Sequence, residues 1–500
     1  MRRAAMLLLA LCAAARALQL PRRHARAKRA RTTALRGGAK PLASLGAAIG
    51  ASPASLFNAV FGGLAGTAVV AKVASAPAGG DDAAESSAAA VDVRRRFLPV
   101  FWLLRMADWL QGPYFYEVYS SKVFGGKAAS MDLVSQLFLA GFLSTAIFGP
   151  YVGRLADKRG RKLGTLAFAV LYGAAALTTK SSLLWVLFAG RVLSGVGTSL
   201  LFSAPEAWLV GDATKNDCGA SLGGVFGAAY AGDAIVAIVA GQLASLAAAA
   251  RGPTGPFELS VGFLGLGALA ASLLWTENVA ASADGSQGAP TIREAFDVAC
   301  ADRKILLVGA AQALFEGAMY IFVLQWPPAM SRAVGAAFGE GAKVPFGTIF
   351  SSFMVCCLLG STAFQRLSAA SVRTESSTLG MLALATAAMG TAAATAGRGV
   401  AGATLASFVA AFFAFELCVG MYFPSIGTLR SKYIPDSHRS VIMNLFGIPL
   451  NAIVVGCFLS IKKLGVSGAL SVATAALGLA TLAAAELARM TKPKAEAVAA

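Results

Sequence analysis

The chain has 500 residues, of which 57% are apolar and only 14% charged, and its mean hydropathy is +0.66. A soluble protein carries about 25% charged residues, so this composition excludes a set of water-soluble domains, a disordered chain, a collagen and a coiled coil. A helical bundle embedded in a bilayer remains, because lipid tolerates an apolar exterior. The net charge of +18 is uneven: residues 1–40 hold 11 Lys and Arg and no acid, which leaves +7 on the rest. No folded basic face is expected, and therefore no nucleic-acid partner. Seven cysteines without a CxxC pair and only two histidines give no metal-ligand spacing, so neither a metal nor another cofactor is expected.

The leader comes first. Residues 1–17 read as a signal-like segment: Arg2 and Arg3, a short apolar run, then Ala15-Arg16-Ala17 as an A-x-A cleavage site. The basic, acid-free stretch that follows resembles a transit peptide. Together the two parts are similar to the bipartite leaders of algae with complex plastids. A plain signal anchor with a basic flank fits as well. Segment 18–96 also holds a candidate accessory helix at 56–73 and a small, polar linker at 81–90.

From residue 97 onward, apolar runs of about 20 residues, enough to cross about 30 Å of hydrocarbon, alternate with short polar breaks. The expected spans are 97–121, 131–151, 164–179, 182–210, 220–249, 257–275, 304–328, 345–366, 375–396, 401–424, 439–462 and 466–489. The longest break, 276–303, separates an N-terminal half (97–275) from a C-terminal half (304–489), and 490–500 is a tail. The fold class is therefore an all-α membrane protein of twelve helices, six plus six. The even-numbered breaks and the flanks hold about twice as many Lys and Arg as the odd breaks, which puts both ends of the bundle on the cytosolic side.

The break after the second span reads Gly153-Arg-Leu-Ala-Asp157-Lys-Arg-Gly160-Arg161-Lys162. It resembles the G-x-x-x-D-[RK]-x-G-[RK]-[RK] loop of the major facilitator superfamily. The glycines permit a tight turn. Asp157 can accept from the N-terminal amides of a neighbouring helix, and the cations can pair with acids in one conformer only, which makes a latch. Glu206 lies near the same end of span 4, where Arg154 or Arg161 could reach it. Simple retention of positive charge on one side would explain the cations but not the spacing.

Inside the spans, charged side chains are costly and mark a lined cavity. Span 1 carries Arg105, Asp108, Gln111, Pro113, Tyr114 and Tyr116, with Arg105, Asp108 and Tyr116 on one helical face. Span 4 carries Arg191 in a pattern, Arg191-Val-Leu-Ser-Gly195-Val-Gly197, similar to a superfamily stretch linked to proton coupling. Arg105, Asp108, Gln111, Tyr114, Tyr116 and Arg191 are the candidate substrate residues. Asp233, Glu316 and Glu416 are the candidate proton sites. These residues sum to an excess of two acids, so a bound dianion requires some carboxylates to take up protons.

Several stretches resemble the molybdate-anion transporter family more closely: Asp108-Trp-Leu-Gln-Gly-Pro-Tyr-Phe-Tyr116, Thr198-Ser-Leu-Leu-Phe-Ser-Ala-Pro-Glu-Ala-Trp208, Gln312-Ala-Leu-Phe-Glu316, Gly347-Thr-Ile-Phe-Ser-Ser-Phe-Met354, Gly420-Met-Tyr-Phe-Pro-Ser425 and Asn444-Leu-Phe-Gly-Ile-Pro-Leu450. The likeness runs from about residue 97 to 489. Pro205 and Gly447 depart from the family pattern, which has a large residue and an arginine at those places. The resemblance implies a monomeric secondary transporter, not an enzyme, that moves molybdate or a related oxyanion, with lipid and protons as its other partners. It implies the cell membrane, whereas the leader points to a plastid envelope. A proton-coupled carrier of a neutral or cationic solute, or a non-transporting sensor of the same fold, is the alternative.

Overall fold

The computed structural model describes residues 52–74, 88–279, 292–398, 403–435 and 438–492. The signal-like segment, the basic stretch after it, most of the 81–90 linker, much of the central loop and the last eight residues lie outside the described residues.

Helix α1 (Pro53–Val73) starts at a capping box. Ser52 Oγ accepts from the Ser55 amide, Ser55 Oγ accepts from the Ser52 amide, and Pro53 presets the first turn. The N-terminal half follows as α2 (Ala88–Gln111), α3 (Phe115–Ser120), a minimal hairpin of β1 (Val123–Phe124) and β2 (Lys127–Ala128), α4 (Met131–Arg159), α5 (Arg161–Thr178), α6 (Leu184–Leu201), α7 (Ala204–Lys215), α8 (Leu222–Arg251) and α9 (Gly255–Leu274). The central segment contributes α10 (Ile292–Ala301). The C-terminal half contains α11 (Arg303–Phe338), α12 (Phe346–Ala369), α13 (Thr374–Arg398), α14 (Ala403–Tyr433), α15 (Arg439–Leu459) and α16 (Ile461–Met490).

The result is the expected twelve-helix bundle, six plus six, with α1 as an additional N-terminal helix. Two expected single spans are broken. Pro113 ends α2 in a 3-10 turn over Gly112–Tyr114 before α3 resumes, and Pro205 opens α7 after a break at Phe202–Ser203. Arg105 and Tyr116 therefore do not share one continuous helical face. Eleven helical stretches, α1 among them, are long and apolar enough to cross a membrane among the described residues. Helices α2 and α5 are not, because α2 carries Asp92, Arg94, Arg95, Arg96, Arg105 and Asp108 and α5 opens on Arg161 and Lys162. They hold their places by packing, α2 against α8 and α9 and α5 against α6 and α9.

One core cluster is confined to the first half, and a larger one fills the second half and reaches across the seam to Leu110, Val134 and Ala240. In the first, Trp208 and Trp275 stack at 4.0 Å beside Phe97. In the second, Phe315, Phe322, Phe353, Phe412 and Phe415 interlock. The two halves meet at the end that carries the odd breaks. There Ser351 Oγ donates to the Ile238 carbonyl at 2.7 Å, and the Thr348 amide donates to Ser245 Oγ at 3.0 Å. Phe138 of α4 meets Phe458 of α15 edge-on at 5.1 Å. Helix α1 lies along the outside of α12: the Thr348 hydroxyl reaches Asn58 Oδ1 at 3.5 Å, and Arg366 Nη2 reaches the Ala71 carbonyl at 2.7 Å. These contacts sit at opposite ends of α12, so α1 runs parallel to it over its whole length.

The unexpected helix α10 sets Ala295 and Ala299 on Ile305, Ile434, Ile442 and Phe446, beside the basic end of the second half. Ile292 and Phe296 of the same helix are exposed.

Candidate functional site

The charged residues inside the bundle form three groups. In the first, Arg105 of α2 forks onto Asp233 of α8, with Nε to Oδ1 at 3.0 Å and Nη2 to Oδ2 at 2.9 Å. Its Nη1 reaches Asp108 at 3.3 Å. Trp109 Nε1 donates to Asp233 at 2.8 Å, and the Tyr172 hydroxyl donates to Asp108 at 2.7 Å. The guanidinium also lies over the rings of Trp109 and Phe202, 4.8 and 5.2 Å from their centroids. All of its nitrogens are engaged, by two carboxylates. Phe202 and Tyr230 flank this group and are 60% and 51% exposed, so one side of it is reachable from outside the N-terminal half's core.

The second group is Arg191 of α6. Its Nε donates to the Leu137 carbonyl at 3.3 Å and its Nη1 to Ser194 Oγ at 3.1 Å, and the guanidinium lies 4.5 Å from the Phe115 centroid. It has no carboxylate partner among the described residues. It packs against Gly141, where any Cβ would collide with the guanidinium.

The third group belongs to the C-terminal half. Glu316 of α11 accepts from Arg430 Nη2 at 3.1 Å and from the Tyr422 hydroxyl at 2.8 Å, while Arg430 Nε donates to Gln312 Oε1 at 2.9 Å. Glu416 is buried away from these, and the Cys357 thiol donates to it at 3.0 Å. No cation pairs with Glu416 among the described residues.

The remaining candidates are placed differently from expectation. Gln111 donates to Ser260 Oγ at 2.8 Å in a buried contact. Tyr114 is buried edge-on to Phe346, so it belongs to the seam between the halves. Tyr116 is half-buried near Arg332. Asp233 is Arg105's main partner rather than a free acid, and Glu316 is paired with Arg430. Counting Arg430 reduces the excess of acids from two to one.

The loop after α4 also departs in detail. The chain turns at Gly160 (φ 136°), a conformation that favours glycine. Asp157 accepts from Arg161 Nε at 3.0 Å and does not cap a neighbouring helix. Glu277, just beyond α9, does the capping: its two oxygens take the Lys162 and Leu163 amides at 2.8 and 2.9 Å. Lys162 Nζ adds bonds to the Ser272 and Trp275 carbonyls. Glu206 does not meet a loop arginine; it accepts from Tyr230, while Arg154 bonds to the Pro150 carbonyl of its own helix and Gly153 sits near Ser203.

Sequence reasoning missed Arg430 because span 10 was ended at residue 424, at Pro424, whereas α14 runs on to Tyr433. The usable signal was spacing. Tyr422 and Arg430, eight apart, share a helical face, as do Gln312 and Glu316, four apart. Glu277 carried no local signal, because its role depends on where α9 ends relative to α5.

Two six-helix halves that close at one end over intramembrane charges define a transporter of the major facilitator class, a multi-pass integral membrane protein. A family described as sugar transporters with 12 TM matches residues 56–415, and the chain belongs to this family. It is 29% identical over 387 residues to a molybdate-anion transporter of Danio rerio, covering 72% of this chain and 77% of that one. A molybdate-anion transporter of Takifugu rubripes is likewise 29% identical, over 396 residues, 73% of this chain and 80% of the relative. The resemblance drawn from the sequence motifs is thus borne out, and these relatives are transporters rather than enzymes. Among solved structures, the fold is similar to an autoinhibited POT family peptide transporter (TM-score 0.61, 12% identity, 80% of this chain and 97% of that one). It is similar also to the nucleoside transporter NupG (TM-score 0.56, 13% identity, 80% and 100%).

Proposed function

We propose that this chain is a secondary carrier that moves molybdate or a related tetrahedral oxyanion by alternating access, with a proton as its coupling ion. What supports the reading is Arg191. A guanidinium held within the bundle without a carboxylate is costly unless an anion visits it, and its planar donors match an oxyanion edge. The relatives named as molybdate-anion transporters point to the same chemistry. Arg105, clamped by Asp233 and Asp108, serves this reading as a neutralised wall. Glu316 or Glu416 would take up a proton as the anion enters: Glu416 because a buried carboxylate without a cation is most cheaply carried neutral, Glu316 because an anion can replace it beside Arg430.

The seam near Ser245 and Thr348 is the closed gate of this cycle, and the loop from Gly153 to Lys162 is the latch at the other end. The site of action is the cell membrane by likeness to the relatives, or a plastid envelope if the leader is read as bipartite. One image of a tagged protein decides between them.

Purified protein in liposomes tests the function. Uptake of molybdate or sulfate driven by an inward proton gradient is the expected outcome. Uptake of a neutral or cationic solute instead would establish the alternative carrier, which the remaining excess of one acid and the sugar-transporter family description favour.

A further inference from the structure

We propose that Arg430, Gln312 and Glu316 form an oxyanion site in the C-terminal half that is gated by a proton, with Glu316 as the built-in occupant that an entering anion replaces. The proposal rests on the reading of the chain as an oxyanion carrier and gives that reading its coupling site.

An arginine has five N–H donors. Arg430 uses one at Nε on Gln312 and one at Nη2 on Glu316. Its Nη1 group makes no further hydrogen bond to a carboxylate or carbonyl among the described residues, and the Tyr422 hydroxyl lies beside the guanidinium. Gln312 accepts from Arg430 through Oε1, which turns its amide NH2, also without a protein partner there, to the same neighbourhood. The charged ends are reachable: the Arg430 side chain is 23% exposed and that of Glu316 19%. The wall behind them is rigid. Gln312 and Tyr422 are buried, and the Tyr422 ring stacks on Phe315 at 4.0 Å. A fixed guanidinium with open donors and partly exposed charged ends is the arrangement a tetrahedral dianion requires.

Charge decides when it can bind. With Glu316 ionised, the pair is neutral and its carboxylate already occupies the fork. With Glu316 protonated, the site is +1 and the fork is free. Anion and proton therefore favour each other's binding, and linkage makes the effect reciprocal. The two other intramembrane arginines differ. Arg105 stays neutralised after a single protonation because it has two carboxylates. Arg191 has none, so it attracts an anion at any pH. Around Glu316 the ionisable neighbours are Arg430 and Tyr422 from α14 and Tyr320 one turn further along α11. Helices α15 and α16, which also pack on α11, give it no hydrogen bond or ion pair among the described residues.

The test is molybdate binding to the purified full-length protein across acid to neutral pH, measured by calorimetry. Wild type should bind more tightly as pH falls, by up to about tenfold per pH unit. Glu316→Gln frees the fork permanently and should bind tightly with the pH dependence gone. Arg430→Ala combined with Glu316→Gln removes both charges, so no buried ion is stranded; it should fold and lose about tenfold or more in affinity. A Glu316→Gln protein that keeps the wild-type pH dependence, or a double variant that binds like wild type, overturns the site while leaving the carrier reading intact. A folded wild type that neither binds nor transports molybdate or sulfate at any pH overturns the carrier reading and takes this site with it.

Discussion

Arg105 and Asp233 meet fork to fork across α2 and α8, at 3.0 and 2.9 Å, and so fasten the first helix of the N-terminal half to the fifth. The pair is buried, and loss of Asp233 leaves Arg105 with the single contact to Asp108 and two of its nitrogens without a partner. Asp233→Ala should therefore destabilise the protein by about 1–3 kcal/mol, read as a lower thermal unfolding midpoint in detergent. Arg105→Met with Asp233→Leu and Asp108→Asn, which removes all three charges and strands none, should recover most of that loss. Recovery of stability together with uptake would show that Arg105 is a strut and not a ligand of the substrate.

Arg191 gives the opposite expectation. Arg191→Lys keeps the charge but loses the planar fork, so molybdate uptake should fall by about tenfold, and Arg191→Ala should abolish it. Gly141→Ala should reproduce the defect without touching the arginine, since the new methyl group would occupy the space of the guanidinium. Wild-type uptake by Gly141→Ala proteoliposomes would place Arg191 outside the pathway.

The loop after α4 separates two roles. Glu277→Gln weakens the cap on the Lys162 and Leu163 amides and should lower stability by about 1 kcal/mol. Asp157→Asn touches only the bond to Arg161 and should leave the unfolding midpoint unchanged while slowing exchange transport. Equal transport rates in wild type and Asp157→Asn would count against a latch.

The seam offers a direct check on alternating access. Ser245 Oγ and Thr348 Oγ1 lie 3.4 Å apart across the two halves. Cysteines at both positions should form a disulfide on mild oxidation, stop uptake and release it again under reductant. Undiminished transport by the cross-linked protein would mean that this seam does not open.

The architecture was legible from the sequence because its determinants are local. Apolar run length set the spans, and the basic asymmetry set their sidedness. The spacing from Gly153 to Lys162 identified the superfamily loop. The charges inside the spans other than Arg430 were identified, but their long-range partners were not. Asp233 lies 128 residues from Arg105, and Arg430 lies 114 from Glu316. No periodicity links such pairs; only the packing of α2 on α8 and of α11 on α14 brings them together. Pro113 and Pro205 could be seen as breakers, but whether each kinks or divides its helix depends on the neighbours that satisfy the freed backbone groups. The helix α10 went unread because its ten residues fell inside a break defined by polarity.

Helix α1 is long and apolar enough to add one crossing to an even-numbered bundle. It runs alongside α12 and so enters from the face where the seam is closed, then delivers the chain to α2 on the basic face. The C-terminal end of α16 is on that basic face too. Thirteen crossings in place of twelve would put Ser52 and Met490 on opposite sides of the membrane and make the direction in which α1 inserts part of the chain's biogenesis.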